Sequence, residues 1–504
     1  MSERGKDAER RGTDAAAIAG WAGRVLGPIA AALVYLLLPE GEALSQSARA
    51  CAAVATLMAI FWMTEALPLA VTSLLPLALF EPLSVVSMED AASPYASPLI
   101  FLFTGGFMIA LAMERWELHR RIALMTLRLA GSRLTRMVGA FMVAAAVLSM
   151  WVSNTATAVM MLPIGISVIA LLDEQSGEDP VKDRFAPCLL LGLAYACSIG
   201  GVATLIGTPP NVVLAGFVAE KYGYDLAFGR WMLFGVPLAA VFLAIAWFLL
   251  TRFLYNLRDE ELPGGRGMIR DELRKLGPMS LGEKLTLAVF LCTAALWIGR
   301  EPLTGVAPFL AGFSDAQIAI AAGVLLFAIP VRPREGVFVM NWKTASRIPW
   351  DVLLLFGGGL SLAAAISDTG LDDFIGSSVE VLSGAPGWAI SLGVAALIVF
   401  LTELTSNTAT ATAFLPILAG AASGLGVEPM TLLLPAVFAA SCAFMLPVAT
   451  PPNAIVFGSG RVRIGQMVSA GIWLNLVSIV LAVIAAQFLG PLVFGTLTEP
   501  GGPE

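Results

Sequence analysis

Apolar runs long enough to cross a bilayer recur along almost the whole chain, from residue 21 to residue 494. Short polar or charged stretches separate them, and the alternating pattern of a membrane β-barrel is absent. The pattern predicts an all-α polytopic membrane protein. Its eleven transmembrane helices are expected at about residues 21–38, 48–64, 69–80, 98–113, 185–218, 231–255, 285–299, 316–331, 350–366, 432–457 and 468–494.

Two further pairs of apolar arms, at 134–172 and 388–424, consist of segments that are each marginal for spanning a membrane. A polar motif separates the arms: Ser153-Asn154-Thr155 in the first pair and Ser406-Asn407-Thr408 in the second. Polar groups at membrane depth are costly unless they bind something, and irregular backbone there is tolerated only beside a cavity or an ion. The pattern therefore predicts two re-entrant helical hairpins with these motifs at their tips.

The two hairpins belong to an internal repeat. Ser153 and Ser406 are 253 positions apart, and the pair Pro209-Pro210 recurs 242 positions later as Pro451-Pro452. Because proline has no N–H group, each of the two helices that carry these pairs is predicted to be broken there. Each repeat contains five spans and a hairpin that returns to its own side. This odd number predicts that the second copy is inverted relative to the first.

Loop charges predict the orientation of the chain. Basic residues concentrate in the stretch 115–136 and in the loops 258–284 and 332–347, whereas the opposite loops are poor in Lys and Arg. By the positive-inside rule, residues 1–20 are expected to be a cytoplasmic tail in a plasma (inner) membrane protein, and the C-terminus is expected outside. Leucines alternate with the arginines of 115–136, which is typical of an amphipathic helix along the membrane surface.

Composition agrees with this class and excludes others. Hydrophobic residues make up 58% of the chain and charged residues only 13%, about half the share usual in soluble proteins. The basic residues form no nucleic-acid-binding face. The five cysteines lack metal-like spacing, and no Walker motif is present. No nucleophile–base pair accompanies the single histidine, His119, so a membrane-embedded hydrolase is disfavoured and no enzymatic activity is expected.

The hairpin tips carry the candidate chemistry. At a tip, the first arm ends in free carbonyls that suit a cation, and the second arm begins with free N–H groups that suit an anion. Ser149 lies four residues before Ser153, so both hydroxyls share one helix face. Helix capping alone would explain a single motif but not a duplicated one. Neutral oxygens suit sodium, and the broken helices add side chains that carry them: Thr208, Asn211, Thr450 and Asn453.

One residue breaks the symmetry of the tips. Glu403 occupies the position that Met150 has in the first repeat. A carboxylate at membrane depth is functional by default, which suggests a proton carrier. An ion pair at an interface or facing the rest of the protein is the alternative, and the sequence leaves both open.

At these motifs the chain resembles the divalent anion/sodium symporter family of sodium-coupled dicarboxylate, citrate and sulfate transporters, over about residues 21–495. The resemblance implies a homodimer that works by an elevator mechanism. After a first helix (21–47), the repeats would span 48–257 and 285–495, joined by a cytoplasmic linker at 258–284. A scaffold (21–133 and 285–387) would carry a moving transport domain (134–257 and 388–495).

The resemblance also implies ligands. The first sodium site would comprise Ser149, Ser153, Asn154 and Gly207, and the second Thr402, Ser406, Asn407 and Ala449. Substrate carboxylates would meet Ser153, Asn154, Thr155, Ser406, Asn407, Thr408, Thr450 and Pro451. The expected function is sodium-coupled import of C4-dicarboxylates such as succinate, malate and fumarate. Sodium-independent dicarboxylate exchange, sulfate or citrate transport, and a passive anion channel are the alternatives.

Overall fold

A computed structural model describes residues 3–39, 44–128, 133–175, 180–257, 260–261, 265–303, 312–382 and 384–495. The first half of the chain forms twelve α-helices in the described residues. They are α1 Glu3–Leu37, α2 Gln46–Thr64, α3 Leu69–Thr72, α4 Leu75–Leu79, α5 Met88–Ala92, α6 Pro98–Arg115, α7 Leu118–Arg128, α8 Leu134–Ser149, α9 Asn154–Gln175, α10 Pro180–Gly201, α11 Pro209–Tyr222 and α12 Phe228–Phe248. Helix α12 continues as a π-helical turn, Leu249–Leu254.

The second half also forms twelve α-helices in the described residues. Its helices are α13 Gly265–Lys275, α14 Leu281–Leu303, α15 Asp315–Ala328, α16 Trp342–Ala345, α17 Trp350–Asp368, α18 Leu371–Val379, α19 Gly387–Thr402, α20 Asn407–Leu425, α21 Met430–Ala440, α22 Pro451–Gly458, α23 Ile464–Ile484 and α24 Gly490–Phe494. A π-helical turn, Ala485–Leu489, joins the last two. Three short 3₁₀ turns and one two-stranded antiparallel hairpin, β1 Pro330–Arg332 and β2 Val337–Phe338, complete the described elements.

The helices confirm a multi-pass membrane protein. In the described residues, ten helices are long and apolar enough to cross a membrane. This set includes α9 and α20, the second arms of the two predicted hairpins, because length and composition alone do not separate a span from a re-entrant arm. Three of the eleven predicted spans contain only shorter helices, near Leu69–Leu79, Asp315–Ala328 and Met430–Ala440. The number of eleven spans stays a prediction.

The bounds of the helices recur at the spacings of the sequence repeat, and the inversion of the second copy stays a prediction. Helices α8 and α19 both have 16 residues and begin and end 253 positions apart. Helices α12 and α23 both have 21 residues and lie 236 positions apart, and each is followed directly by its π-helical turn.

Some predicted boundaries are wrong. The first helix begins at Glu3 and not at residue 21, because the charged segment before the apolar run is itself rich in good helix formers. The predicted third helix, 69–80, is two short helices, with Pro76 at the start of the second. The predicted linker 258–284 contains α13, and α14 begins inside it, at Leu281.

Four helices were not predicted at all: α5, α13, α16 and α18. Leu371–Val379 (α18) starts 253 positions after Leu118, the first residue of the amphipathic helix α7. Both repeats therefore have this short helix before their hairpin. The first copy was recognisable from its arginines, and the second carries Asp372 and Asp373 in place of basic residues.

Helix α10 lies at the centre of the fold. Almost all of its apolar segment is buried, and it packs against α8, α9, α12 and α22. At Gly200 the backbone of α8 at Ala146 comes so close that no side chain would fit. This contact sets the C-terminus of α10 beside the end of α8, which is where the first hairpin turns.

Candidate functional site

The first hairpin turns where it was predicted to turn. Helix α8 ends at Ser149 and α9 begins at Asn154. The Ser153 hydroxyl accepts a hydrogen bond from the N–H of Ala156 at 3.2 Å, so it caps α9. The buried Ser149 hydroxyl donates to Asn154 Oδ1, which ties the end of one arm to the start of the other. Two neutral oxygens are thereby held side by side at the tip.

The first broken helix meets this tip. Its two parts are α10 and α11, and the backbone between Gly201 and Pro209 leaves the helical path. A Cβ atom on Gly201 would lie only 3.0 Å from both Asn154 Oδ1 and the carbonyl oxygen of Gly207. Three of the four predicted ligands of the first cation site, Ser149, Asn154 and Gly207, are therefore brought together. The fourth, Ser153, is a helix cap, and its part in the cation site stays a prediction.

The prolines do not interrupt a helix as predicted. Pro209 and Pro210 are the first residues of α11, a position that needs no N–H group, and the irregular segment precedes them. The carbonyls that lack helical partners are bound by one buried amide. Asn211 Nδ2 donates to the carbonyl oxygens of Gly201, Val202 and Thr204, at 3.3, 3.3 and 2.8 Å.

The second tip has the same plan. Thr402 Oγ1 lies 2.7 Å from Asn407 Oδ1 and 3.1 Å from the carbonyl oxygen of Ala440 at the end of α21. Ser406 caps α20 through the N–H of Ala409, at 3.5 Å. Thr402 and Asn407 are thus joined like Ser149 and Asn154.

The second broken helix is formed by α21 and α22. Asn453 Nδ2 donates to the carbonyl oxygens of Ala443 and Leu446, at 3.1 and 3.0 Å, which repeats two of the bonds of Asn211. Thr450 caps α22, and its hydroxyl accepts from the N–H of Asn453 at 3.4 Å. Ala449 is buried just before Thr450, and its N–H donates to Leu446 O at 3.3 Å.

The predicted substrate-binding residues differ in how exposed they are. Ser153, Thr155 and Pro451 are exposed, and Asn154, Ser406 and Asn407 are partly exposed. Thr408 and Thr450 are buried, at 9% and 4%. The tips therefore present hydroxyl and amide groups to open space while the groups behind them are enclosed.

Both repeats have a buried asparagine oxygen at equivalent positions. Within the described part of the chain, Asn211 Oδ1 and Asn453 Oδ1 have no hydrogen-bond partner. A buried acceptor without a donor is unfavourable, so such an atom points to a ligand or water at that place. The predicted cation-site residues in these segments offer neutral oxygens only. The described residues also contain no group of three His, Cys, Asp or Glu side chains that could hold a metal ion. This donor chemistry suits an alkali cation better than a transition metal.

Sequence reasoning assigned these asparagines only as sources of oxygen. Their amide N–H groups, which stabilise the irregular backbone, were missed, as were Thr204 and Asn475. Thr204 Oγ1 donates to the carbonyl oxygen of Met150 at 2.5 Å, and Asn475 Nδ2 donates to Glu403 at 2.7 Å. The presence of polar residues within otherwise apolar segments could have indicated their role.

The fold and the two tips define a multi-pass membrane protein with an internally repeated, oxygen-lined site, as expected for a secondary transporter. Residues 20–496 match the family described as the sodium:sulfate symporter transmembrane region. The chain belongs to this family, which confirms the resemblance seen in the motifs.

Curated relatives match nearly end to end. A sodium-dependent dicarboxylate transporter, SdcS, of Staphylococcus saprophyticus is 43% identical over 483 residues, which cover 95% of this chain and 93% of the relative. The protein of that name from Staphylococcus aureus is 41% identical over 477 residues, covering 94% and 92%. Among solved structures, the Alcanivorax borkumensis YdaH transporter matches with a TM-score of 0.55 and 17% identity, covering 82% of this chain and 89% of that one. This last likeness concerns the fold alone.

Proposed function

We propose that this protein imports C4-dicarboxylates, such as succinate, malate and fumarate, by coupling their entry to sodium ions. The observation that carries the proposal is the pair of equivalent tips, each with a hydroxyl–amide contact beside a broken helix and an unpartnered buried amide oxygen. The names of relatives that are 41–43% identical over most of the chain support the choice of sodium and of a dicarboxylate.

Each repeat would bind one cation. Neutral oxygens would coordinate it, from Ser149, Ser153, Asn154 and Gly207 in the first site and from Thr402, Ser406, Asn407 and Ala449 in the second. Carboxamide, hydroxyl and backbone carbonyl groups are the hard ligands that such an ion requires.

The substrate would lie between the tips, with one carboxylate at each. Ser153, Asn154 and Thr155 would meet one carboxylate, and Ser406, Asn407 and Thr408 the other, with Thr450 and Pro451 alongside. No Lys or Arg lies in either motif. Positive potential would come from the N-termini of α9 and α20 and from the bound cations, so that anion binding would depend on cation binding.

The remaining parts of the proposal concern the whole assembly. The protein would be a homodimer in the plasma membrane with its N-terminus in the cytoplasm and its C-terminus outside. A transport domain (134–257 and 388–495) would move against a scaffold (21–133 and 285–387) in an elevator mechanism. Residues 496–504 lie outside the described part of the chain.

Uptake of labelled succinate into proteoliposomes tests the function. We expect saturable accumulation above equilibrium with an inward sodium gradient, and none when choline replaces sodium. Competition by unlabelled malate and fumarate should exceed competition by sulfate or citrate. Uptake that persists without sodium but requires internal dicarboxylate would instead identify an exchanger. Non-saturable flux that stops at equilibrium would identify a channel.

A further inference from the structure

Glu403 binds backbone and not a basic side chain. It is the residue after α19 at the second tip, and its side chain is 4% exposed. Its carboxylate accepts three consecutive backbone N–H groups, those of Phe444, Met445 and Leu446, at 2.7, 2.9 and 3.0 Å. A fourth bond comes from Asn475 Nδ2 on α23, at 2.7 Å. One side chain thus joins the tip to the irregular segment that precedes Ala449.

The first repeat lacks this network. Met150, the counterpart of Glu403, has identical backbone angles of φ −63° and ψ −27°. The counterparts of Phe444 and Met445, 242 positions earlier, are Val202 and Ala203. Their N–H groups donate to the carbonyls of Ile199 and Gly200 in an ordinary tight turn.

The second broken helix is correspondingly more open. Helix α21 ends at Ala440, three residues before the counterpart of Gly201, where α10 ends. After this end, the N–H groups of Ser441 and Cys442 donate to the carbonyls of Phe438 and Ala439, and the N–H groups from Phe444 to Leu446 donate to Glu403. The carboxylate therefore takes the place of the backbone carbonyls that accept from Val202 and Ala203 in the first repeat.

The space behind the first tip is apolar. The counterpart of Asn475, 236 positions earlier, is Ala239. Both Met150 and Ala239 line an open apolar groove of about 460 Å³ between α8, α10 and α12. The first tip is joined to its broken helix by one side-chain bond to backbone, from Thr204 Oγ1 to the carbonyl of Met150. The first tip is held by an open apolar groove and a single neutral hydrogen bond. The second tip is held by four hydrogen bonds to a carboxylate, so it is restrained more strongly.

We propose that Glu403 is a positioning residue that assembles the second cation site before any ion binds. The first site, which has no equivalent, is ordered by the ion itself. Because the second site is already ordered, its cation binds with a smaller loss of conformational entropy and therefore with higher affinity. The second site then fills first. This inference rests on the proposed function, since it assigns unequal roles to the two sites of that proposal.

Hydrogen–deuterium exchange of the unmodified protein in detergent tests the preassembly. Without sodium, peptides covering 441–450 should be protected, and peptides covering 202–208 should exchange faster. Adding sodium chloride in place of choline chloride should slow exchange in 202–208 by at least about threefold and leave 441–450 nearly unchanged. Equal slowing of both segments, or slowing of 441–450 alone, would overturn the proposal.

Glu403→Gln tests the residue itself. The amide retains only one acceptor oxygen, so part of the network is lost. In proteoliposomes we expect the sodium concentration for half-maximal succinate uptake to rise by about tenfold, with at least half of the maximal rate restored at saturating sodium. Glu403→Asp should raise this half-maximal sodium concentration less. Asp173→Asn, which removes a carboxylate from an exposed ion pair with Arg461, should not shift it.

The outcomes separate the two proposals. If uptake by the unmodified protein does not depend on sodium, the proposed function is wrong. The hydrogen–deuterium exchange experiment still decides whether 441–450 is preassembled. If that uptake requires sodium but Glu403→Gln leaves the sodium dependence unchanged, the role of Glu403 fails alone. If gel filtration shows that Glu403→Gln does not fold, the sodium dependence of Glu403→Asp and the hydrogen exchange of the unmodified protein decide whether Glu403 has the proposed role.

Discussion

A carboxamide holds each hairpin tip together. Asn154 accepts the hydroxyl of Ser149, and Asn407 accepts that of Thr402, so each amide joins the last residue of one arm to the first residue of the next. Their types and positions could be predicted from the sequence because the motif is duplicated and lies where a polar cluster is otherwise costly. The contacts themselves could not, since they depend on how the two arms cross.

Replacing these amides should abolish transport. In Asn154→Ala and Asn407→Ala, the tip loses the oxygen that faces the predicted cation and the N–H groups available to a carboxylate. We expect succinate uptake to fall at least about a hundredfold, because each variant removes charge-assisted bonds worth about 3 kcal/mol. Gel filtration would show that the protein remains folded. Ser167→Ala, on the exposed face of α9, is the control, and normal uptake by both Asn variants would refute the site.

A methyl group at Gly201 should disturb the first cation site selectively. Its Cβ would lie 3.0 Å from Asn154 Oδ1 and from the carbonyl oxygen of Gly207, closer than such contacts normally are. We expect Gly201→Ala to raise the half-saturating sodium concentration by about tenfold or more, because the oxygens must separate. Gly393→Ala, where nothing lies within 4 Å, is the matched control. An unchanged sodium dependence of Gly201→Ala would argue against a cation between these oxygens.

At the scale of elements, the repeat made most of the fold predictable. Both hairpins begin and end within a few residues of the predicted positions, because their polar tips interrupt long apolar arms. Two features were not accessible. Helix α18 was missed because acidic residues replace the arginines that identify α7. The early end of α21 at Ala440 was missed because no proline or glycine marks it, and Glu403, which accepts N–H groups of the segment that follows, is distant in sequence.

The unpredicted helix α18 makes the tightest contact with the second hairpin. Gly376 of α18 faces Gly420 and Gly424 of α20, and a Cβ atom on Gly424 would overlap the carbonyl oxygen of Gly376. Gly424→Ala should therefore lower stability by about 1–3 kcal/mol through overpacking. The melting temperature of the purified protein measures this loss. Gly465→Ala, in open space on α23, should leave it unchanged, and equal melting of the two variants would contradict the contact.

At the scale of the whole molecule, charge decides how the two repeats cooperate. In the proposed function, a dicarboxylate would bring two negative charges to the tips, and neither motif contains Lys or Arg. Each helix N-terminus contributes only about half a positive charge. The bound cations would therefore be needed to balance the charge of the anion, and binding of each ligand would depend on the other. Thermodynamic linkage then demands that each ligand raises the affinity for the other by the same factor.

Equilibrium binding to the purified protein tests this linkage. We expect saturating sodium to lower the dissociation constant of labelled succinate by at least about tenfold relative to choline, which corresponds to about 1.4 kcal/mol of coupling. Saturating succinate should strengthen sodium binding by the same total factor, measured from the sodium dependence of thermal stability. Choline chloride at the same concentration as the sodium chloride controls for ionic strength. Succinate that binds equally well in choline would show that the helix termini suffice, and coupling through the site would then be wrong.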